Sequence, residues 1–216
     1  MTTTPSQQGP CPIEAVAGAG RLRRSRSALI RAAIALVSER GTAAVPLSDI
    51  AEAADVSRQV VYQQFGNRDS LLLEAALDLA RRELLPGLGE LADISDVRVP
   101  VLAVAGHFAD HRPFYRAVLT GSSGFGLNKA LTGFFIPYNR HIVRLLGGGR
   151  LGPQEAEDLA AFLTGGWAAL INDWIADGDD PLDPARFTDR LVRMVSAAID
   201  VIAGPCTGRQ DERPGG

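Results

Sequence analysis

The stretch from Leu47 to Arg68, LSDIAEAADVSRQVVYQQFGNR, constrains the fold more than any other part of the chain. Leu47, Ile50, Ala51 and Ala54 recur at helical spacing and give a short helix one apolar face. Ala51 is small, as a close helix crossing requires. Asp55 follows at the turn, where a short polar side chain tolerates a left-handed backbone. Ser57 is a good N-cap for a second helix, whose buried side is Val61 and Phe65, four residues apart. The opposite side carries Arg58, Gln59, Tyr62 and Gln63, all able to hydrogen-bond phosphates or base edges. Two helices this short cannot form a stable unit alone, so a third has to pack on them. The pattern is that of a DNA-reading helix-turn-helix.

The flanking residues supply the third helix and a fourth. A helix expected from Ser25 or Ser27 to Arg40, stopped by Gly41, covers the pair with Leu29, Ala33, Leu36 and Val37. A basic arm, Arg21-Leu22-Arg23-Arg24-Ser25-Arg26, precedes it. Asn67 caps a helix that starts at Arg68, buries Leu71, Leu72, Ala75, Ala76 and Leu79, and is expected to end before Pro86. Residues 24–85, a little over a quarter of the chain, resemble the DNA-binding domain of the tetracycline-repressor (TetR) family of bacterial regulators. The run IAEAADVSRQVVYQQF corresponds to the family's I-A-x-x-A-G-V-S-x-x-x-L-Y-x-x-F, and the run from Asn67 to Leu72 to its following K-x-x-L.

Five positions depart from that pattern. Asp55 stands for the usual turn glycine and Val61 for a common leucine. Pro46 replaces a hydroxyl residue at the start of the second helix; it suits a helix start but offers a phosphate neither hydroxyl nor N–H. Gln63-Gln64 replaces an aromatic-His pair, and glutamine can pair with adenine in the major groove.

Charge distribution says more than net charge. The chain totals −3, yet residues 21–68 carry eight arginines against four carboxylates, so that segment is +4 and everything else −7. A basic head on an acidic remainder approaches DNA head-first. At 216 residues, 46% hydrophobic and 22% charged, the chain is ordinary globular protein with room for a sizeable core. Cys11 and Cys206, near opposite ends, are expected to be free thiols in a reducing compartment. No signal pattern and no run near the roughly 18 apolar residues of a membrane span is visible, so a cytoplasmic location without membrane contact is expected. One lysine, Lys129, among 22 Lys+Arg reflects a GC-rich bacterial genome rather than function.

Beyond Pro86 the helices lengthen, and the expected fold is all-α: a three-helix DNA-binding head followed by a helical ligand-binding and dimerisation body. The expected organisation is a disordered tail over 1–20, a helix-turn-helix domain over 21–67, the body over 68–203 and a second tail over 204–216. Helices are expected over 97–108, 112–119, 128–146, 153–177 and 184–203, with Gly121 to Gly126 a flexible connection. Gly147-Gly148-Gly149 should stop the third of these.

The last two helices show broad apolar faces, through Phe162, Gly166 and Trp167 in one and Leu191, Met194 and Val195 in the other. The resemblance implies that this pair packs against its twin in a homodimer, with Gly165-Gly166 allowing close approach. A dimer also suits DNA binding, since a single helix-turn-helix seldom makes enough contacts.

Eleven of the thirteen aromatic residues lie beyond residue 100. His107, Phe108, Phe114, Phe134, Tyr138, His141, Trp167 and Asn172 are the candidate walls of a pocket for an apolar or aromatic molecule. His107 and His111 stand one helical turn apart, but the helix is expected to fray before Pro113 and no Cys or Glu is expected to join them nearby. No metal site is therefore expected. Gly121-Ser122-Ser123-Gly124 does not match G-x-S-x-G, and no phosphate loop or H-E-x-x-H occurs, so neither enzyme activity nor cofactor is expected.

The sequence thus describes a homodimeric repressor that binds a palindromic operator and is released by a small ligand. Arg58, Gln59 and Gln63 are the candidates for base edges, and Ser57, Tyr62 and Arg68 for phosphates. Arg24 and Arg26 add sequence-independent attraction. The alternatives are an activator of the same architecture, and a small-molecule-binding helical protein whose head binds a protein partner.

Overall fold

The computed structural model describes residues 12–88, 96–147 and 151–202, and among these it is all-α with no strand. In chain order the helices are α1 (Pro12–Arg40), α2 (Leu47–Ala53), α3 (Arg58–Phe65), α4 (Arg68–Leu88), α5 (Arg98–Asp110), α6 (Arg112–Leu119), α7 (Gly124–Gly147), α8 (Pro153–Asp177) and α9 (Pro184–Ile202). The chain divides into two units, one of residues 1–81 with 111–127, the other of residues 82–110 with 128–216.

In the first unit α1 packs on α2, α3 and α6. Its core is small and close-fitting: Leu29, Ala33 and Val37 from α1, Ile50 and Ala51 from α2, Val61 from α3, and Leu71, Leu72, Ala75 and Ala76 from α4 are all buried. α6 inserts Phe114, Tyr115 and Val118, and Tyr115 Oη donates to the Ala76 carbonyl at 3.4 Å. Most of α4 and all of α6 therefore belong with the first three helices, a larger unit than the expected 21–67. Asp55 has φ of 53°, the left-handed conformation anticipated for the α2–α3 turn, and Gly41 ends α1 with φ of 62°.

Several helix bounds differ from expectation. α1 starts at Pro12 rather than near Ser25, so residues 12–20 of the expected tail are helical. A proline in the first turn of a helix loses no hydrogen bond. The remaining tail residues 1–11 and 204–216, with both cysteines, and Gly148-Gly149 lie outside the described residues. α4 runs through Pro86 to Leu88, since a proline near a helix end disturbs little beyond it.

The glycine-rich run is not a loose connection. α7 begins at Gly124, where a Cβ would sit 2.2 Å from the Leu119 carbonyl oxygen, and at Gly121 a Cβ would lie 3.0 Å from that of Ala43. These glycines are there for close approach. Ser122 and Ser123 both donate to Asp69 Oδ1, at 3.2 and 2.9 Å, tying the turn to the start of α4.

In the second unit α5 packs on α9 and on α8. One buried cluster joins Val143, Leu159, Leu163 and Val195, and another Val101, Ala105, Phe187 and Leu191. Trp167 packs against both. Trp174 stacks on Phe187 with ring centres 4.2 Å apart. Asn139 Nδ2 donates to Thr164 Oγ1 at 2.8 Å, and that hydroxyl donates to the Ala160 carbonyl at 2.6 Å, so two buried polar groups between α7 and α8 satisfy each other.

By length and composition α8 could cross a membrane. Its most apolar window has mean hydropathy 1.2, although only 28% of that window is buried within the chain. This qualifies the sequence expectation that no such segment exists. The helix is apolar on two faces: Leu159 and Leu163 point inward, while Phe162 is 71% exposed and Gly165 and Gly166 have nothing within 4 Å of a Cβ position.

Candidate nucleic-acid interface and internal cavity

α3 owes its orientation to two buried anchors, Val61 and Phe65. The residues at the complementary helical positions are therefore turned outward: Arg58, Gln59, Tyr62 and Gln63 are exposed, Tyr62 at 57%. Ser57 occupies the N-cap with extended backbone (φ −73°, ψ 151°), but its hydroxyl makes no capping bond and is exposed. The helix start thus presents a hydroxyl, an arginine and uncapped N–H groups on one side, a combination suited to an anion. Two amides and a phenol follow along the same strip. Arg23, Arg24 and Arg31 line a cleft beside the turn Ala54-Asp55-Val56.

Arg26 is held elsewhere. Its guanidinium lies 4.6 Å from the centre of the Phe65 ring, reaches Glu74 at 3.0 Å and donates to the Gln64 carbonyl at 3.5 Å. It bridges α1, α3 and α4. Sequence periodicity could not show this, because Arg26 and Glu74 are 48 residues apart. Gln64 likewise turns inward, donating to the Leu22 carbonyl at 3.4 Å. Arg68 is half-buried, with Nε 4.0 Å from Asp69 Oδ1.

Two further ties fix the first unit. Arg40 Nη1 donates to Asp49 Oδ2 at 2.6 Å, and this bond, aided by the Ser48 hydroxyl, holds the Asp49 carboxyl below the usual carboxylate range. Asn67 Oδ1 accepts the Ser70 N–H at 2.8 Å, the cap expected for α4.

The second unit contains an apolar cavity of about 60 Å³ among α5, α7, α8 and α9. Four of the expected pocket residues, Phe108, Tyr138, Trp167 and Asn172, line it. The other four do not. Phe134 packs edge-on against Phe135, which does line the cavity, at 4.9 Å. His107 is buried, and its Nδ1 lies 2.8 Å from Glu83 Oε2, so a glutamate 24 residues away does join the histidines, contrary to expectation. His141 is half-buried outside the lining. Phe114 belongs to the first unit, where it is fully buried against Tyr115 at 5.4 Å. An aromatic at helical spacing fills a core as readily as a pocket, and composition alone does not separate the two.

The lining also contains polar groups that sequence reasoning passed over, Asn128, Thr132, Asn139 and Thr164. Asn172 Nδ2 donates to Asn128 Oδ1 at 2.5 Å. The pair is 44 residues apart, and an amide in a helix carries no local mark of what it will meet.

A polar helix turned outward on a trihelical support has the form of a helix-turn-helix DNA-binding domain. Residues 29–75 match the family described as bacterial regulatory proteins, tetR family. No curated protein sequence matches it significantly. Among solved structures it is similar to the dihydroxyacetone kinase operon activator DhaS, with TM-score 0.56 and 16% identity over 82% of this chain and 97% of that one. It is also similar to the TetR-family repressor AlkX from Dietzia sp. strain DQ12-45-1b, implicated in biodegradation of n-alkanes, with TM-score 0.51 and 22% identity over 82% and 96%. RolR in complex with resorcinol gives TM-score 0.54 and 23% identity over 86% and 96%. At these identities the likeness speaks for the fold.

Proposed function

We propose that the protein acts in the cytoplasm as a homodimeric transcriptional repressor that binds a palindromic operator and is released by a small molecule lodged in the second unit. The observation that carries this reading is the exposed strip Ser57, Arg58, Gln59, Tyr62 and Gln63, held outward by two buried anchors. Arg58, Gln59 and Gln63 read base edges, Ser57, Tyr62 and Arg68 contact phosphates, and Arg24 adds charge attraction. Exposed Phe162, Met194, Gly165 and Gly166 on α8 and α9 support the pairing of two copies through these helices. The uncharged cavity, and the resorcinol held by RolR, support a small aromatic or apolar effector.

Release requires that the effector bind the DNA-free state more tightly, since equal affinity for both states shifts nothing. A hundredfold preference corresponds to about 2.7 kcal/mol of coupling. The test is selection of bound duplexes from a random pool, followed by competition titrations. A palindrome with half-sites about 34–36 Å apart supports the reading, and uniform low affinity for all duplexes overturns it. An activator is the second reading, favoured by the fold shared with DhaS. A reporter driven by the selected operator separates the two by the sign of the change when the gene is deleted.

A further inference from the structure

The walls of the cavity in the second unit limit what can occupy it. We propose that the effector is an uncharged, single-ring compound with one hydrogen-bonding group, and that the Asn128–Asn172 amide pair receives that group. This rests on reading the cavity as the effector site, and deepens it.

The first observation is charge. Among the described residues that line the cavity there is no Asp, Glu, Lys, Arg or His. A carboxylate or ammonium placed there would lose its water and gain no counter-charge, the costliest form of burial. Both histidines expected in the pocket from the sequence lie outside the lining, so neither supplies the missing charge.

The second observation is the division of polar groups. Asn139 and Thr164 are engaged with each other and with the Ala160 carbonyl, a chain that joins α7 to α8. Asn128, near the start of α7, and Asn172, toward the end of α8, form a separate pair. Their bond uses one of the two donor hydrogens on the Asn172 amide, which also offers an acceptor oxygen. A hydroxyl, which both donates and accepts, is matched to such a pair. Phe108, Phe135, Leu131 and Trp167 furnish apolar wall for a ring.

The third observation is size. At about 60 Å³ the cavity is smaller than the roughly 150 Å³ apolar cavity that admits benzene in an engineered protein. A ring therefore enters only as the surrounding helices of this unit separate. The ligand selects a widened state, which supplies the difference in affinity between two conformations that release from DNA demands.

The experiment titrates full-length protein with phenol, toluene, benzoate and benzylammonium, similar in size and different in charge and polarity. Tryptophan fluorescence from Trp167 and Trp174 and calorimetric heat report binding, and operator affinity is measured in parallel. Phenol is expected to bind about 10-fold more tightly than toluene, the value of one net hydrogen bond, with no saturable binding of the two ions. Asn172→Leu should keep toluene binding and lose the phenol preference; Asn128→Leu provides the same comparison if that variant does not fold. Benzoate or benzylammonium binding as tightly as phenol, and releasing the operator, would overturn the uncharged class while leaving the effector site intact. A phenol preference that survives both substitutions would overturn the role of the amide pair. If none of the four binds to a protein that still binds its operator, the cavity is not an effector site, and the ligand response of the proposed function falls with the inference.

Discussion

The two units are built from the same element and use it differently. The first is small-residue packing reinforced by directed polar ties: Arg26 to Glu74, Arg40 to Asp49, Asn67 to the Ser70 N–H, and Ser122 and Ser123 to Asp69. Alanines at 33, 75, 76 and 80 are completely buried there, so its helices lie close and leave little to shift. The second unit is built from α5, most of α7, α8 and α9. It retains an apolar cavity. α8 there is apolar on a face the chain itself does not cover. A surface that reads DNA needs side chains at fixed spacing, whereas a sensor needs two packings close in free energy.

The largest expected effect comes from breaking the uncovered face of the second unit. Phe162→Glu should convert the dimer to monomer in sedimentation and lower operator affinity at least 100-fold, because a carboxylate in a desolvated contact costs several kcal/mol. Met194→Glu should act in the same direction. Trp167, first counted on this face by its helical spacing, is a cavity wall and would perturb the fold instead. A folded Phe162→Glu protein that remains dimeric places the interface elsewhere.

Next comes the reading strip of the first unit. Arg58→Ala and Gln63→Ala should each cost about 1–3 kcal/mol in operator binding and relax preference at one base pair per half-site. Equal loss on every sequence tested by competition would move the residue to the phosphate class.

A smaller effect separates clamp from contact. Arg26→Ala should weaken operator binding by about 1 kcal/mol and lower the melting temperature, since it loses a cation–π contact and a half-exposed ion pair. The dependence of affinity on salt should be unchanged. A fall of about one in that slope would show instead that Arg26 meets a phosphate.

The smallest effect is on acid stability. The Asp49 carboxyl lies below its unfolded value because Arg40 bonds it, so its contribution is present above that value and is lost as pH falls through the folded one. Thermal melts across the acid range should show a slightly shallower decline for Asp49→Asn than for the parent. An identical decline would mean that the tie is too exposed to matter.

Much of the first unit was legible because its signals are local. A run of 22 residues holds two apolar stripes at helical spacing, a turn residue able to adopt φ of 53°, and a polar strip whose outward direction follows once Val61 and Phe65 point inward. The second unit was less legible. Its helices were recognisable from Pro153, Pro184 and the intervening glycines, but the inward and outward sides of α8 were not, since both are apolar. The glycines at 121–126 were misjudged for the same reason: sequence shows that a side chain is missing, not whether the space is needed for freedom or for a neighbour.

The sequence by itself determined the order of the helices and the outward strip of α3, because backbone propensity and short-range periodicity are properties of neighbours along the chain. The tertiary structure alone decided that Arg26 meets Glu74 and the Phe65 ring, that Glu83 meets His107, that Phe114 packs in the first unit, and that Asn128 and Asn172 face one another in a cavity without charge. Each of these joins residues through the way distant helices rotate against one another. That rotation is set by the summed packing of many side chains, and no single stretch of sequence records it.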